Sequence, residues 1–189
     1  TWRRGFFWMG IGVVYIGIPV SACWGLVSYF DKYIYVLIWG ILVVIANDIG
    51  GYVFGKVIGG YKLAPRISPK KTWAGLMGGL IFIAFFNWSY FHLISFEMPR
   101  YLFLFTSLIL GGISTLGDLF ESGIKRYHGR KDSGDLIPGH GGLLDRLDGF
   151  FVTIPFLALL VYLQPQFFNE AIPDASFLTV LLENEGVLD

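Results

Sequence analysis

The sequence predicts an all-α protein, a polytopic transmembrane helix bundle with two polar loops on one face. Three observations predict it. Hydrophobic residues fill 54% of the 189 positions and charged residues only 15%, with a mean hydropathy of +0.62. A soluble domain needs more polar surface than that. The apolar residues fall in runs close to the ~20 that a helix needs to cross a bilayer. The charges collect in a few short stretches between those runs.

Five spans follow in order. The first, Phe6–Phe30, is apolar throughout, with Trp2 and Trp8 at its entrance. The second, Tyr33–Phe54, starts on a tyrosine and carries Asp48 near its far end. The third, Trp73–Leu93, starts on a tryptophan after a loop holding Pro65 and Pro69. The fourth, Tyr101–Gly117, follows Pro99. The fifth, Phe150–Leu163, is the shortest and extends backwards into Leu143–Leu147. Aromatic residues at such ends suit the membrane–water interface. Residues 1–164 then form one transmembrane region, and the acidic 165–189 is expected as an extracytoplasmic tail.

Charge sets the orientation. With a cytoplasmic N-terminus, the inner segments hold Arg3, Arg4, Lys56, Lys62, Arg66, Lys70, Lys71, Lys125, Arg126, Arg130, Lys131 and Arg146. The outer loops hold only Lys32 and Arg100, which completes the 14 Lys+Arg of the chain. The positive-inside rule selects this arrangement. The two polar loops, Gly55–Thr72 and Asp118–Gly149, therefore share the cytoplasmic face. The net charge of +0 says nothing about partners, and Cys23, the single cysteine, excludes an internal disulfide.

Several residues there can carry chemistry. Asp118, Ser122, Lys125 and Arg126 are spaced i, i+4, i+7, i+8, which puts them on one helix face with Glu121 alongside. Gly129 is a natural stop for that helix. The stripe fits either an ion-paired solvated face or an anion site. Lys131 and Asp132 precede Pro138-Gly139-His140-Gly141-Gly142, a turn whose free backbone N–H groups can cradle phosphate oxygens. Asp145 and Asp148, at i, i+3 around Arg146, offer hard oxygen ligands of the kind Mg²⁺ takes. Asp48 is an intramembrane carboxylate, and such a group is costly unless it is paired or used. In the first loop Lys56, Lys62, Arg66, Lys70 and Lys71 face no acid, so the loop attracts anions or lipid head groups. There is no G-x-S-x-G, no phosphate-binding G-x-x-x-x-G-K-[ST] and no zinc spacing.

The run S-x-x-K-R-x-x-x-x-K-D-x-G-x-L-I-P-G-H-G-G-x-x-D-R-x-D, Ser122 to Asp148, resembles the signature of the phosphatidate cytidylyltransferase family. Leu63 to Trp73, Asp48 to Tyr52 and Gly117 to Ser122 resemble that family too, so the likeness covers residues 45 to 150. Ala74 departs from it, standing where Glu or Gln is usual. The family's chains carry further N-terminal spans, so this sequence looks like a C-terminal portion. The resemblance implies a reaction in which CTP and phosphatidate give CDP-diacylglycerol and pyrophosphate. It also implies Mg²⁺, a K⁺ ion sharing the metal centre, a homodimer, and a place in the bacterial inner membrane with the site facing the cytoplasm.

Under that reading Asp118, Asp145 and Asp148 are the metal ligands and, with Lys125 and Arg126, the catalytic set. Lys125 and Arg126 clamp the triphosphate, Ser122 binds phosphate or metal, and Gly141 and Gly142 line the phosphates. Arg66, Lys70 and Lys71 hold the lipid head or steer the nucleotide. Asp48, Ser68, Lys131, Asp132, His140 and Arg146 complete the substrate-binding set. No nucleic acid partner is expected. The nearest alternative is a CTP-dependent polyprenol or phytol kinase, which would release CDP and want a general base for its alcohol. A transporter would need polar residues through to the outer face, and polarity here stays on the inner side.

Overall fold

In a computed structural model the protein is described at residues 2–29, 33–93, 99–130, 133, 142 and 144–163. Five helices carry the fold: α1 (Trp2–Tyr29), α2 (Tyr33–Val57), α3 (Trp73–Leu93), α4 (Arg100–Tyr127) and α5 (Leu144–Leu163). Four of them contain stretches long and apolar enough to cross a membrane: Trp8–Ser28, Ile34–Val57, Trp73–Tyr90 and Arg100–Tyr127. In α5 the apolar stretch Leu147–Leu163 is shorter. The chain is an all-α polytopic membrane protein. The 165–189 tail lies outside the described residues.

Each expected span falls on a helix, and four of those helices are long and apolar enough to cross a membrane. Helix α4 continues past its apolar span to Tyr127, joining it to the charged stripe in one helix, and α5 begins at Leu144, inside the expected backward extension. Hydropathy falls where a helix leaves lipid, whereas its backbone hydrogen bonding continues into water. The end of α4 is chemical instead. Gly129 takes a left-handed φ of +67°, its N–H bonds Arg126 O at 3.0 Å, and Arg130 N–H bonds Lys125 O at 2.9 Å. This is a Schellman cap.

The first polar loop is also more ordered than a loop. It contains an antiparallel hairpin, β1 (Lys62–Ala64) and β2 (Ser68–Thr72). Its register shifts between the pairs Lys62↔Thr72 and Ala64↔Ser68. That irregularity suits Pro69, which has no N–H to give a ladder. Gly59 and Gly60 lead into it with φ of 65° and 88°, conformations that side chains resist.

Helix α2 is the hub and packs against α1, α3, α4 and α5. It crosses α3 through small residues. A Cβ on Gly75 would lie 2.8 Å from Gly51 O, and one on Gly79 would lie 2.5 Å from Asn47 Oδ1. In lipid, where hydrophobic drive between helices is absent, such close backbone approach and interhelical hydrogen bonds hold helices together. The bonds are present. Asn47 Nδ2 donates to Gly111 O at 3.2 Å and to Thr115 Oγ1 at 3.1 Å. Trp39 Nε1 donates to Asn87 Oδ1 at 3.3 Å. Asn47→Ala is expected to destabilise the bundle by about 1 kcal/mol, read as a lower thermal midpoint in detergent. An unchanged midpoint would show that this polar tie contributes nothing.

Candidate active site

The site grows from three local structures at the polar ends of α2, α3, α4 and α5. Thr72 is the N-cap of α3, its Oγ1 accepting the Gly75 N–H at 3.0 Å. The cap fixes the hairpin on α3 and so fixes Lys71, the residue before it. On the other side, Arg126 Nε donates to Ile67 O at 3.2 Å, tying the hairpin turn to α4. Arg126 also donates to Arg130 O at 3.2 Å. Its guanidinium thus has backbone work in addition to the triphosphate role expected from sequence.

Held from both sides, the hairpin delivers Lys71 to Asp118. The ammonium lies 2.6 Å from Asp118 Oδ2 and 3.5 Å from Thr115 O. Between α2, α3, α4 and the hairpin is a cavity of about 240 Å³. Asp48, Lys70, Lys71 and Asp118 supply its charges, and Asn47, Tyr52, Thr72 and Thr115 more of its polar lining. Asp48 is exposed because it opens onto this space.

Asp118 also faces α5, where its carboxyl group lies close to that of Asp148. Glycine makes this possible. A Cβ on Gly149 would lie 2.6 Å from Ser114 Oγ and 3.2 Å from Asp118 Oδ1, and one on Gly117 would lie 3.0 Å from Val152 Cγ2. The two helices touch at the two glycines that neighbour the two aspartates. Asp148 Oδ1 accepts the Gly149 N–H at 2.9 Å. One turn along α4, buried Glu121 pairs with Lys125 at 3.4 Å.

Of the residues singled out in the sequence, the structure brings together Asp48, Lys70, Lys71 and Asp118 around the cavity, with Asp148 behind Asp118. Lys125 and Ser122 are half-buried on the same helix. Arg66 and Ser68 sit on the hairpin and its turn, and Arg66 is exposed. Gly142 is buried. Lys131, Asp132, His140 and Gly141 lie outside the described residues. Asp145 and Arg146 belong to the first turn of α5, and their side chains lie outside the described set as well. Among the described residues no three His, Cys, Asp or Glu side chains gather as a metal-binding group.

Sequence reasoning missed the Lys71–Asp118 pair, the Asn47–Thr115 tie and the importance of Gly117 and Gly149. The glycines beside the aspartates were the available signal. A lysine and an aspartate 47 positions apart gave none.

Fold and site together define a polytopic membrane protein in which Asp48, Lys70, Lys71, Asp118 and Asp148 are gathered at one end of the helices. The chain belongs to the cytidylyltransferase family, whose sequence model matches residues 2–164. It is similar to the phosphatidate cytidylyltransferase of Staphylococcus aureus (strain COL), with 38% identity over 154 residues, covering 80% of this chain and 57% of that protein. The phosphatidate cytidylyltransferases of Staphylococcus haemolyticus and Staphylococcus saprophyticus are 41% and 40% identical over 151 residues, with the same coverage. The chain thus spans 57% of the length of the curated relatives it matches.

Proposed function

We infer that this chain carries the catalytic region of an enzyme that transfers the cytidylyl group of CTP to phosphatidate, giving CDP-diacylglycerol and pyrophosphate. Family membership and the names of the relatives support the reaction class. The observation that carries the chemistry is Asp118, flanked by Lys71 at 2.6 Å on one side and by the Asp148 carboxyl on the other. Two ionised carboxylates this close repel, and a cation between them relieves that repulsion as a shared proton would. That donor set fits Mg²⁺, which takes one or two carboxylates and leaves its other positions to water and substrate phosphate.

Asp118 and Asp148 would hold Mg²⁺, with Asp145 from the first turn of α5. When bound, the ion neutralises phosphate charge and the charge building on the leaving pyrophosphate. K⁺ is the second cation of this reading. The rest falls to the protein. Phosphatidate presents a phosphate monoester, largely dianionic near neutral pH with a second pKa of about 6. Its oxygen attacks the α-phosphorus of CTP, and the bond from that phosphorus to the bridging oxygen breaks. Pyrophosphate leaves with the electron pair, and no proton must be removed from the nucleophile. No general base is called for, so the work is positioning and charge cancellation.

Lys70 and Lys71 line the cavity and receive the phosphates there. With Asp118 holding the cation, Lys71 would be free to turn from that carboxylate to a phosphate oxygen. Lys125, backed by Glu121, faces the triphosphate from α4. The apolar spans leave the acyl chains in the bilayer. The inner-side excess of Lys and Arg supports a site on the cytoplasmic face of a bacterial inner membrane, and a homodimer is the assembly of this reading.

The deciding assay mixes purified protein, CTP, phosphatidate and Mg²⁺, and follows pyrophosphate and the lipid product. Release of CDP with an alcohol substrate would favour the lipid-kinase alternative and defeat this reading. Lys71→Ala is expected to lower kcat/KM by about 10–100-fold, the worth of one hydrogen bond to a charged group. Unchanged kinetics would return Lys71 to a purely structural pair. Lys125→Ala is expected to raise KM for CTP, and a wild-type KM and kcat would make that lysine only Glu121's partner.

A further inference from the structure

Helix α1 is mostly lipid-facing, with Val13, Val14, Ile16 and Ile18 exposed. Tyr15 turns inward. Its ring packs against Phe151 of α5 at 5.4 Å between centroids and lies 6.5 Å from Phe120 of α4. The hydroxyl oxygen is fully buried and has no hydrogen-bond partner among the described residues. Glu121, Asp148 and Asp118 all act on it electrostatically. A phenol O–H left unsatisfied in an apolar bundle costs free energy, and phenylalanine would fill the same space without that cost.

We propose that Tyr15 is a positioning residue of the cation site, its hydroxyl donating a hydrogen bond to the Asp148 carboxylate when the ion is held. Because the oxygen is shielded from the cavity, it reaches substrate only through a carboxylate. Of the three carboxylates, Asp118 already has Lys71, and Lys125 lies against one oxygen of Glu121, Oε1. Among the described residues no cation pairs with Asp148, whose hydrogen-bond donor is the Gly149 N–H. A neutral donor there fixes the ligand rotamer without competing with the ion for its charge. Outer partners of metal ligands act in this way. Helix α1 is thereby part of the site and not only a lipid-facing cover.

The proposal rests on the reading that Asp148 binds a divalent cation. The test therefore measures binding of Mn²⁺ alone to the full chain by electron paramagnetic resonance, beside turnover and thermal midpoint. Tyr15→Phe is expected to weaken Mn²⁺ binding by about 10–100-fold while leaving the midpoint unchanged or higher. In an Asp148→Asn background the same change should have no further effect on Mn²⁺, whereas in Glu121→Gln it should keep its full effect. Unaltered Mn²⁺ affinity in Tyr15→Phe overturns the proposal, as does an effect that vanishes in Glu121→Gln but survives in Asp148→Asn. Wild-type protein that binds no Mn²⁺ overturns the cation reading and this proposal together. Wild-type protein that binds Mn²⁺ but makes no CDP-diacylglycerol overturns the assigned reaction alone.

Discussion

Asp148→Asn is expected to lower the rate of pyrophosphate release by about 10²–10³-fold, with insertion and thermal midpoint near wild type. The amide keeps the shape of the carboxyl and can still accept the Gly149 N–H, which the aspartate holds at 2.9 Å. What it loses is the negative charge. Asp118 would then face an amide instead of a second carboxylate, and the pair would no longer demand a cation. The size follows from the several kcal/mol of charge stabilisation a bound metal gives in such reactions, at 1.36 kcal/mol per tenfold in rate. It exceeds the effect at Lys71, where a single cationic contact is removed and Lys70 still lines the cavity. Pyrophosphate release across a Mg²⁺ titration measures it, and near-normal turnover would remove Asp148 as a ligand. Asp145→Asn makes the matching test for the carboxylate on the first turn of α5.

The second large effect needs no change of charge. Gly149→Ala adds one methyl group at a point 2.6 Å from Ser114 Oγ and 3.2 Å from Asp118 Oδ1. The first distance is too short for a carbon and the second is tight, so unless Ser114 Oγ rotates clear, α5 moves away from α4. Overpacking of this kind costs about 1–3 kcal/mol of stability. The larger consequence is geometric. Asp148 travels with α5 and Asp118 stays with α4, and an ångström of separation between catalytic groups costs about 10²-fold in rate. Activity should therefore fall much further than stability. Gly112 is the control, because nothing lies within 4 Å of where its Cβ would be. Gly112→Ala should leave activity unchanged and stabilise α4 by up to about 1 kcal/mol. If both alanines behave alike, the α4–α5 contact does not set the site.

The legible part of this molecule was its local part. Long apolar runs announced the spans, and the charge of each connecting segment announced which ends belong together. The Ser122–Asp148 run pointed to its family before any coordinate was known. Helix ends needed a second signal besides hydropathy, since α4 and α5 carry helical backbone beyond their apolar stretches, to the Gly129 stop and back to Leu144. The hairpin was not legible at all. Its strands are three and five residues long, and Pro65 and Pro69 read equally well as an irregular loop. It is held because Thr72 caps α3 locally and Arg126 holds the turn at Ile67, a tertiary partner 59 positions away.

The sequence by itself determined that this protein is a polytopic helical bundle with its polar chemistry at one membrane surface. Hydropathy, charge and motif spacing are all carried by neighbouring residues. Tertiary structure decided which charges meet. Asp118 finds Lys71 only because a capped hairpin folds back over α4, and it finds Asp148 only because Gly117 and Gly149 let two helices touch. A glycine in a sequence does not say which backbone it will admit. Only the packed bundle supplies the partner, and with it the distance over which two carboxyl groups and a cation can act on one another.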